Sequence, residues 1–336
     1  MSGIYSMSTV LTLEPYIDDC SRLFVERMIE RVGPGQAIDL GDWFLWYAYD
    51  VIAELFFGRS LGFIKNHGDQ GAFLESLEFM LPVMTPAAVS TPLVRGLIMG
   101  LFMLSSTART GLQGMNLIID TARTSVDERN AATASPGKRE RKDLLHYLLA
   151  IVRAKGSEVD FGVEDVKNEA FAALIVLYEQ IRKEVDQAVE NGTLSEYPSY
   201  SEVMQLPLVK SAIKEALRLH SGMGFTMPRV VGQSGIELAG MHIPAGCKVG
   251  INPAVVGRDE AAYGPDADTC NDLVFGAGTR TCIGKQIALS EIYKFVPLMI
   301  RKFEFELVNP SKSWTTHDYF FNKQSGVQVT VKVRGL

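Results

Sequence analysis

The chain has 336 residues, enough to bury a substantial core as one large domain or two small ones. Apolar residues make up 47% and charged residues 21%, the usage of an ordinary globular protein. The net charge of −6 comes with no basic run of the kind nucleic-acid binders carry, since Lys138-Arg139-Glu140-Arg141-Lys142 is short and reads as loop. No stretch of ~20 uncharged apolar residues would span a bilayer. No N-terminal targeting segment is visible. The four cysteines, Cys20, Cys247, Cys270 and Cys282, are scattered without a C-x-x-C pair, which excludes a disulfide scaffold and zinc spacing.

Pro15 opens a helix that runs to about Val32, where Gly33-Pro34-Gly35 stops it. Asp39 caps a second helix through Trp43, Trp46, Tyr47, Ile52, Leu55 and Phe56, ended at Gly58, with its aromatic stripe toward the core. Two apolar runs follow, Phe79 to Val94, broken by Pro82, Pro86 and Pro92, and Gly96 to Ala108. Both are expected in the core, with contact to a membrane surface as the alternative. Helices are expected at Leu112–Arg129, Leu144–Ala154, Val163–Val189 and Leu208–His220, and an exposed loop at Ala131–Lys142. From about residue 225 short β-type runs appear at 229–231, 236–238, 241–243 and 248–251, separated by turn residues. An amphipathic helix is expected from Lys285 to Phe303. Val327, Val329, Val331 and Val333 alternate as a strand behind a hairpin tip at Ser325-Gly326. The fold class is mainly α with a small β-sheet, read as a single domain over 1–336, mostly helical over 1–220 and mixed over 225–336.

The run Phe275-Gly276-Ala277-Gly278-Thr279-Arg280-Thr281-Cys282-Ile283-Gly284 brackets one cysteine with glycines just before that last helix. A thiolate there is favoured by the helix dipole and the unpaired amides. Soft anionic sulfur suits a transition metal, and a lone thiolate suits heme iron. A structural cysteine in a glycine-rich loop is the plainer alternative. The form F-x-x-G-x-R-x-C-x-G resembles the heme-binding signature of the cytochromes P450, the heme-thiolate monooxygenases. The resemblance makes Cys282 the axial ligand of the iron of heme b, with Phe275, Gly278, Arg280 and Gly284 around the cofactor.

Glu215-Ala216-Leu217-Arg218 places a carboxylate and a guanidinium at i, i+3 on one helix face. Glu179-Gln180-Ile181-Arg182 repeats the spacing and reads as a solvated pair. In the family an E-x-x-R pair stabilises the core near the heme, and the turn and β segments after Arg218 match Glu215 and Arg218 to it. By the same resemblance Arg229 and Arg280 approach heme propionates, as a guanidinium fork suits a carboxylate. Phe225 and Thr226 would face the substrate side, as would the stretch Lys323–Gly326.

The resemblance covers nearly the whole chain, closest to a fungal, pisatin-demethylase-like group, and implies a P450-like fold that is incomplete. The part before Tyr5, with its membrane anchor, is missing. After Leu174-Ile175-Val176 the central helix passes to Leu177-Tyr178-Glu179 without its acid–alcohol pair, so no catalytic residue is identified. Between Asp266-Ala267-Asp268-Thr269 and Leu273 the segment that normally braces Glu215–Arg218 is absent, and the third member of that group has no candidate. The jumps keep frame and cut mid-element, which implies skipped exons or a faulty gene model. The implied function is heme-dependent oxidation of a small hydrophobic molecule in fungal secondary metabolism. Dioxygen is the oxidant, and NADPH electrons arrive through a cytochrome P450 reductase, at the cytosolic face of the endoplasmic reticulum. The alternatives are a non-catalytic heme-binding remnant and a helical interaction protein without heme.

Overall fold

A computed structural model describes residues 6–33, 36–71, 73–90, 92–104, 124, 174–224, 226–257, 274–278, 281–309, 314–318 and 322–335. Helix α1 (Met7–Leu11) is capped by Ser6, whose hydroxyl accepts from the Thr9 amide. Helix α2 (Glu14–Arg31) carries Pro15 in its first turn, one residue after its start. It buries Ile17, Cys20, Phe24 and Met28 at spacings of three and four, a single face. Strand β1 (Ala37–Asp39) leads into α3 (Leu40–Phe57), which starts where Asp39 Oδ1 accepts the Gly41 amide at 3.0 Å. It stops at Gly58, whose φ of +71° favours glycine. The aromatic stripe does face the core. Phe24 meets Trp43 and Tyr47 edge-on at 5.6 Å, and Tyr47 stacks on Phe295 at 3.9 Å.

Helices α4 (Phe63–Asn66), α5 (Phe73–Val89) and α6 (Pro92–Met103) follow. Two expectations fail in this stretch. Pro82 and Pro86 lie inside α5 rather than breaking it. Four residues apart, they interrupt hydrogen bonds on one strip of the helix while the rest of the ladder continues. The second apolar run is not core where it is described: Leu97 is 65% exposed and Leu101 64%, and Leu93, at the end of the first run, is 87% exposed. These leucines recur every four residues, so they share one face of α6 and that face points outward. The expected helices at Leu112–Arg129 and Leu144–Ala154, and the loop between, lie outside the described residues apart from helical Thr124.

Helix α7 (Leu174–Glu190) is the described part of the expected Val163–Val189 helix. A capping box at Ser199 and Glu202 starts α8 (Tyr200–Val203), and Pro207 opens α9 (Pro207–Leu219). Short antiparallel pairs follow, β2 (Arg229–Val230) with β5 (Lys248–Val249), and β3 (Ile236–Leu238) with β4 (Met241–Ile243). Helix α10 (Pro253–Val256) precedes α11 (Lys285–Lys302). Helices α7, α9 and α11 pack together and bury Ile181, Val185, Val209, Ile213, Leu217 and Tyr293 between them.

Strands β6 (Phe303–Leu307) and β9 (Gln328–Val333) pair antiparallel, and β9 also pairs β1, giving the order β1-β9-β6. Val327, Val329 and Val331 are buried, as their alternation predicts, whereas Val333 is exposed. Ser325-Gly326 is not a hairpin tip. Strand β8 (Asn322–Ser325) pairs with β7 (Thr315–Asp318), in a sheet separate from β9. Gly326, at φ +79°, is a bend between the sheets, and its amide donates to Asp39 Oδ2 at 2.9 Å.

Several buried polar groups join these layers. Ser21 Oγ donates to the Ile17 carbonyl and shares a 2.9 Å hydrogen bond with Tyr47 Oη. Lys294, 3% exposed, lies 2.8 Å from Asp18 and 3.6 Å from Glu14. Glu291 is buried on the same helix, and burial pushes its carboxyl up to about 8. Arg334 clamps the chain end: it donates to both carboxylate oxygens of Asp186 at 2.8–2.9 Å and to the Ile300 carbonyl at 2.6 Å.

Candidate heme-thiolate site

The loop before α11 closes on its own backbone. The Cys282 amide donates to the Phe275 carbonyl at 2.6 Å. The Thr281 amide and hydroxyl both donate to the Gly278 carbonyl, at 3.3 and 2.9 Å, and the Lys285 amide donates to Cys282 at 3.3 Å. Such a tight path needs left-handed backbone: φ is +72° at Gly276 and +65° at Gly278. Nothing lies within 4 Å of where a Cβ on Gly278 would sit, so its backbone angle, not crowding, calls for glycine. Cys282 is half-buried at the end of this loop. Gly284, buried, is the N-cap of α11. The positive end of the helix therefore has neither a side-chain cap nor a first-turn acid of its own.

Phe275, Gly278, Cys282 and Gly284 are thus brought together, and the Phe275 ring packs against the α7–α9–α11 cluster. Arg280 and Phe225 lie outside the described residues. Arg229 is exposed on β2, and its Nη1 donates to the Met227 and Pro228 carbonyls at 3.2 and 3.3 Å. No carboxylate among the described residues pairs with it. Thr226 is half-buried in the turn before β2. Gly250 is pressed beneath it: a Cβ there would stand 2.5 Å from Thr226 Cγ2. Lys323 pairs with Glu78 of α5, and the Gln324 carbonyl abuts Gly41, so this stretch is tied to the helical half of the chain.

On α9 the Glu215–Arg218 pair is bidentate. Arg218 Nε donates to Glu215 Oε2 at 2.7 Å, and Nη2 donates to Oε1. A further partner, missed from sequence, is the Gly257 carbonyl, which accepts from Arg218 Nη1. A backbone acceptor carries no side-chain signature, and only the glycine itself hints at the close approach. The repeated motif on α7 behaves differently. Arg182 reaches Glu304 at 3.4 Å and Asp186 at 3.9 Å, and the Glu179 side chain lies outside the described residues. Next to the loop, the Lys285 ammonium stands 6.0 Å from the centroid of the Phe275 ring.

A lone thiolate is a protein donor that heme iron takes. Among the described residues no group of three or more His, Cys, Asp or Glu stands ready to hold an ion. A bare ion would ask for three or four protein ligands. One soft thiolate suits a metal whose remaining positions are filled by a macrocycle.

Comparison with known proteins agrees with this geometry. The family described as "Cytochrome P450" matches residues 4–175 and 176–331. "Cytochrome P450 monooxygenase gsfF" of Penicillium aethiopicum is 70% identical over 373 aligned positions, covering 100% of this chain and 74% of the relative. "Cytochrome P450 monooxygenase cicH" of Emericella nidulans is 28% identical over 99% of this chain and 73% of the relative. Among solved structures, the heme domain of cytochrome P450DA superposes with a TM-score of 0.76 at 17% identity, covering 99% of this chain and 76% of that one. At that identity the match speaks for the fold.

Proposed function

The chain belongs to the cytochrome P450 family, and from that premise we propose that residues 1–336 act as one domain in which the Cys282 thiolate would hold heme iron. The observation that carries this reading is the closed loop Phe275–Cys282 set against the uncapped start of α11. The chemistry that heme supplies when bound is activation of dioxygen and transfer of one oxygen atom to a small hydrophobic substrate. The chain does the rest. The loop holds Cys282 by its amide, and the α11 N-terminus stabilises the negative charge on Sγ. Arg229, with Arg280, would pair with the propionates through guanidinium–carboxylate hydrogen bonds. Gly278 and Gly284 would let the backbone lie close to the cofactor, and Glu215–Arg218 would brace α9. Thr226 and Phe225 would line the substrate side.

Electrons would come from NADPH through a reductase, and the oxidation would belong to fungal secondary metabolism. The 70% relative from Penicillium supports this, being itself named a P450 monooxygenase. The site of action would be the cytosolic face of the endoplasmic reticulum. Among the described residues no helix is long and apolar enough to cross a membrane, and the outward leucines of α6 support surface contact instead.

A second reading has its own support. The family match falls in two parts that meet at 175/176, where the sequence lacks the acid–alcohol pair expected of the central helix. The alignment to the Penicillium relative spans 373 positions against 336 residues here, so at least 37 positions of the relative face no residue of this chain. A chain that binds heme without oxygenase turnover would fit those gaps. The test is a ferrous carbon monoxide spectrum of the heme-loaded chain beside Cys282→Ala, followed by NADPH turnover with a fungal reductase. A thiolate-type long-wavelength Soret band in the wild type alone is expected. Its absence from the wild type overturns heme-thiolate ligation, and a normal band without substrate oxidation selects the second reading.

A further inference from the structure

We propose that Asn322 is a positioning residue for the substrate side of the site: it fixes the turn that carries Thr226 against the β7–β8 hairpin, so that both stretches meet a bound ligand at one set spacing. The inference rests on the reading of Thr226 as substrate-facing given above.

The described residues between α9 and β2 belong to no helix or strand, so their position depends on anchors from outside. Ser221 Oγ donates to the Met223 carbonyl at 2.9 Å, a bond within the turn. The anchors come from the start of β8. Asn322 Nδ2 donates to the Ser221 carbonyl at 2.7 Å, and the Asn322 amide donates to the Gly222 carbonyl at 3.1 Å. A single hydrogen bond is a pivot, whereas two bonds from one residue to adjacent carbonyls also fix the angle. Any residue but proline at 322 would supply the backbone bond; the second comes from the side chain. Asn322 is 8% exposed and Ser221 1%, so this bond is made out of water, where an amide left unpaired is costly. An apolar side chain would fill the space without that demand, which makes the hydrogen bond the reason for a polar residue here. The hairpin is itself anchored: Lys323 pairs with Glu78 of α5, and the Gln324 carbonyl oxygen stands 2.7 Å from where a Cβ on Gly41 of α3 would lie. Thr226 is therefore backed by Gly250 and carried on a turn whose orientation Asn322 sets. Without the side-chain donor the turn would rotate about the remaining backbone bond, and Thr226 would shift relative to β8.

The experiment is a titration of the heme-loaded full chain with imidazole and with 1-octylimidazole, read from the Soret shift that a nitrogen ligand on iron produces. Imidazole reports on the iron alone, and the octyl chain extends to the walls. The proteins are wild type, Asn322→Leu, which keeps bulk and loses the donor, Thr226→Ala and the double variant. Imidazole affinity should stay within about two-fold of wild type throughout. Affinity for 1-octylimidazole should fall about four-fold or more in each single variant, on the order of one methylene's burial, and the double variant should be no weaker than the weaker single. A purely structural role would lower the unfolding temperature and weaken both probes alike, and that outcome overturns the proposal. So does a wild-type affinity for 1-octylimidazole in Asn322→Leu, or losses that add in the double variant. Asn322→Ala gives the same comparison if the leucine variant folds poorly, and an unchanged affinity there also overturns it. Failure of the parent reading shows separately, as an unchanged 1-octylimidazole affinity in Thr226→Ala, and this inference then falls with it.

Discussion

Replacing Glu291 by glutamine should flatten the pH dependence of stability. Glu291 is 6% exposed on α11, and burial alone raises its carboxyl from the ordinary 4.5 to about 8. Around it stand Cys20 and Tyr47, both also pushed up mainly by burial and both further raised by the Glu291 charge. Lys294, one turn on, is engaged by Asp18 and Glu14. In the folded chain Glu291 keeps its proton through neutral pH, while in the unfolded chain it loses it above 4.5. The folded state therefore binds more protons between those values, and stability must fall as pH rises through the window. At 1.36 kcal/mol for each unit, the loss between pH 5 and pH 7.5 is about 3 kcal/mol. Glu291→Gln keeps the shape of the neutral acid and has no proton to lose. Urea denaturation of the heme-free chain at pH 5 and pH 7.5 measures both slopes. The variant should match the wild type near pH 5 and exceed it by about 3 kcal/mol at pH 7.5. Equal slopes in the two proteins would refute the reasoning, because they would mean Glu291 ionises alike in both states.

Two further substitutions probe the frame around the cysteine loop. Arg334→Ala removes a bidentate contact to Asp186 and a donor to the Ile300 carbonyl. The cost should be about 2 kcal/mol in urea denaturation, less than a fully buried pair because Asp186 is partly exposed, and an unchanged midpoint contradicts the clamp. Gly257→Ala would set a Cβ 2.5 Å from the Arg218 carbonyl oxygen and 3.0 Å from that of Pro253. Backbone atoms give way poorly, so roughly 1–3 kcal/mol of stability should go, with weaker heme uptake measured by titration with hemin. Wild-type uptake in this variant would show that the brace on α9 does not bear on the loop.

Local signals told the truth wherever the cause was local. Pro15, Asp39 and Gly58 mark helix ends because a missing N–H, a short acceptor and a left-handed φ act on their own neighbours. The Phe275–Gly284 loop was legible for the same reason, its glycines and cysteine being adjacent in sequence. The leucines of α6 show where such reading stops. Their spacing names an apolar face, but only tertiary packing decides whether that face is covered. Ser325-Gly326 carried good turn residues, yet β8 chose β7 and β9 chose β1 and β6, and strand partners are selected across the whole chain. Pro82 and Pro86 misled because proline removes single hydrogen bonds, and a helix packed on its neighbours can spare two on one strip.

Asp39 also sets a schedule for folding. It ends the first strand of the sheet, and its carboxylate accepts from Gly326 and from Gln328, 289 residues later. Strand β1 can complete its ladder with β9 only when the far end of the chain has left the ribosome. At about 5–20 residues per second that delay is roughly 15–60 s. Helices α2 and α3 therefore emerge long before the strand that joins them to the end of the chain, and their aromatic face must wait for Phe295 to arrive. Loss of the last nine residues would remove Gln328, Val329 and Thr330 and so deny β1 the partner that completes its ladder.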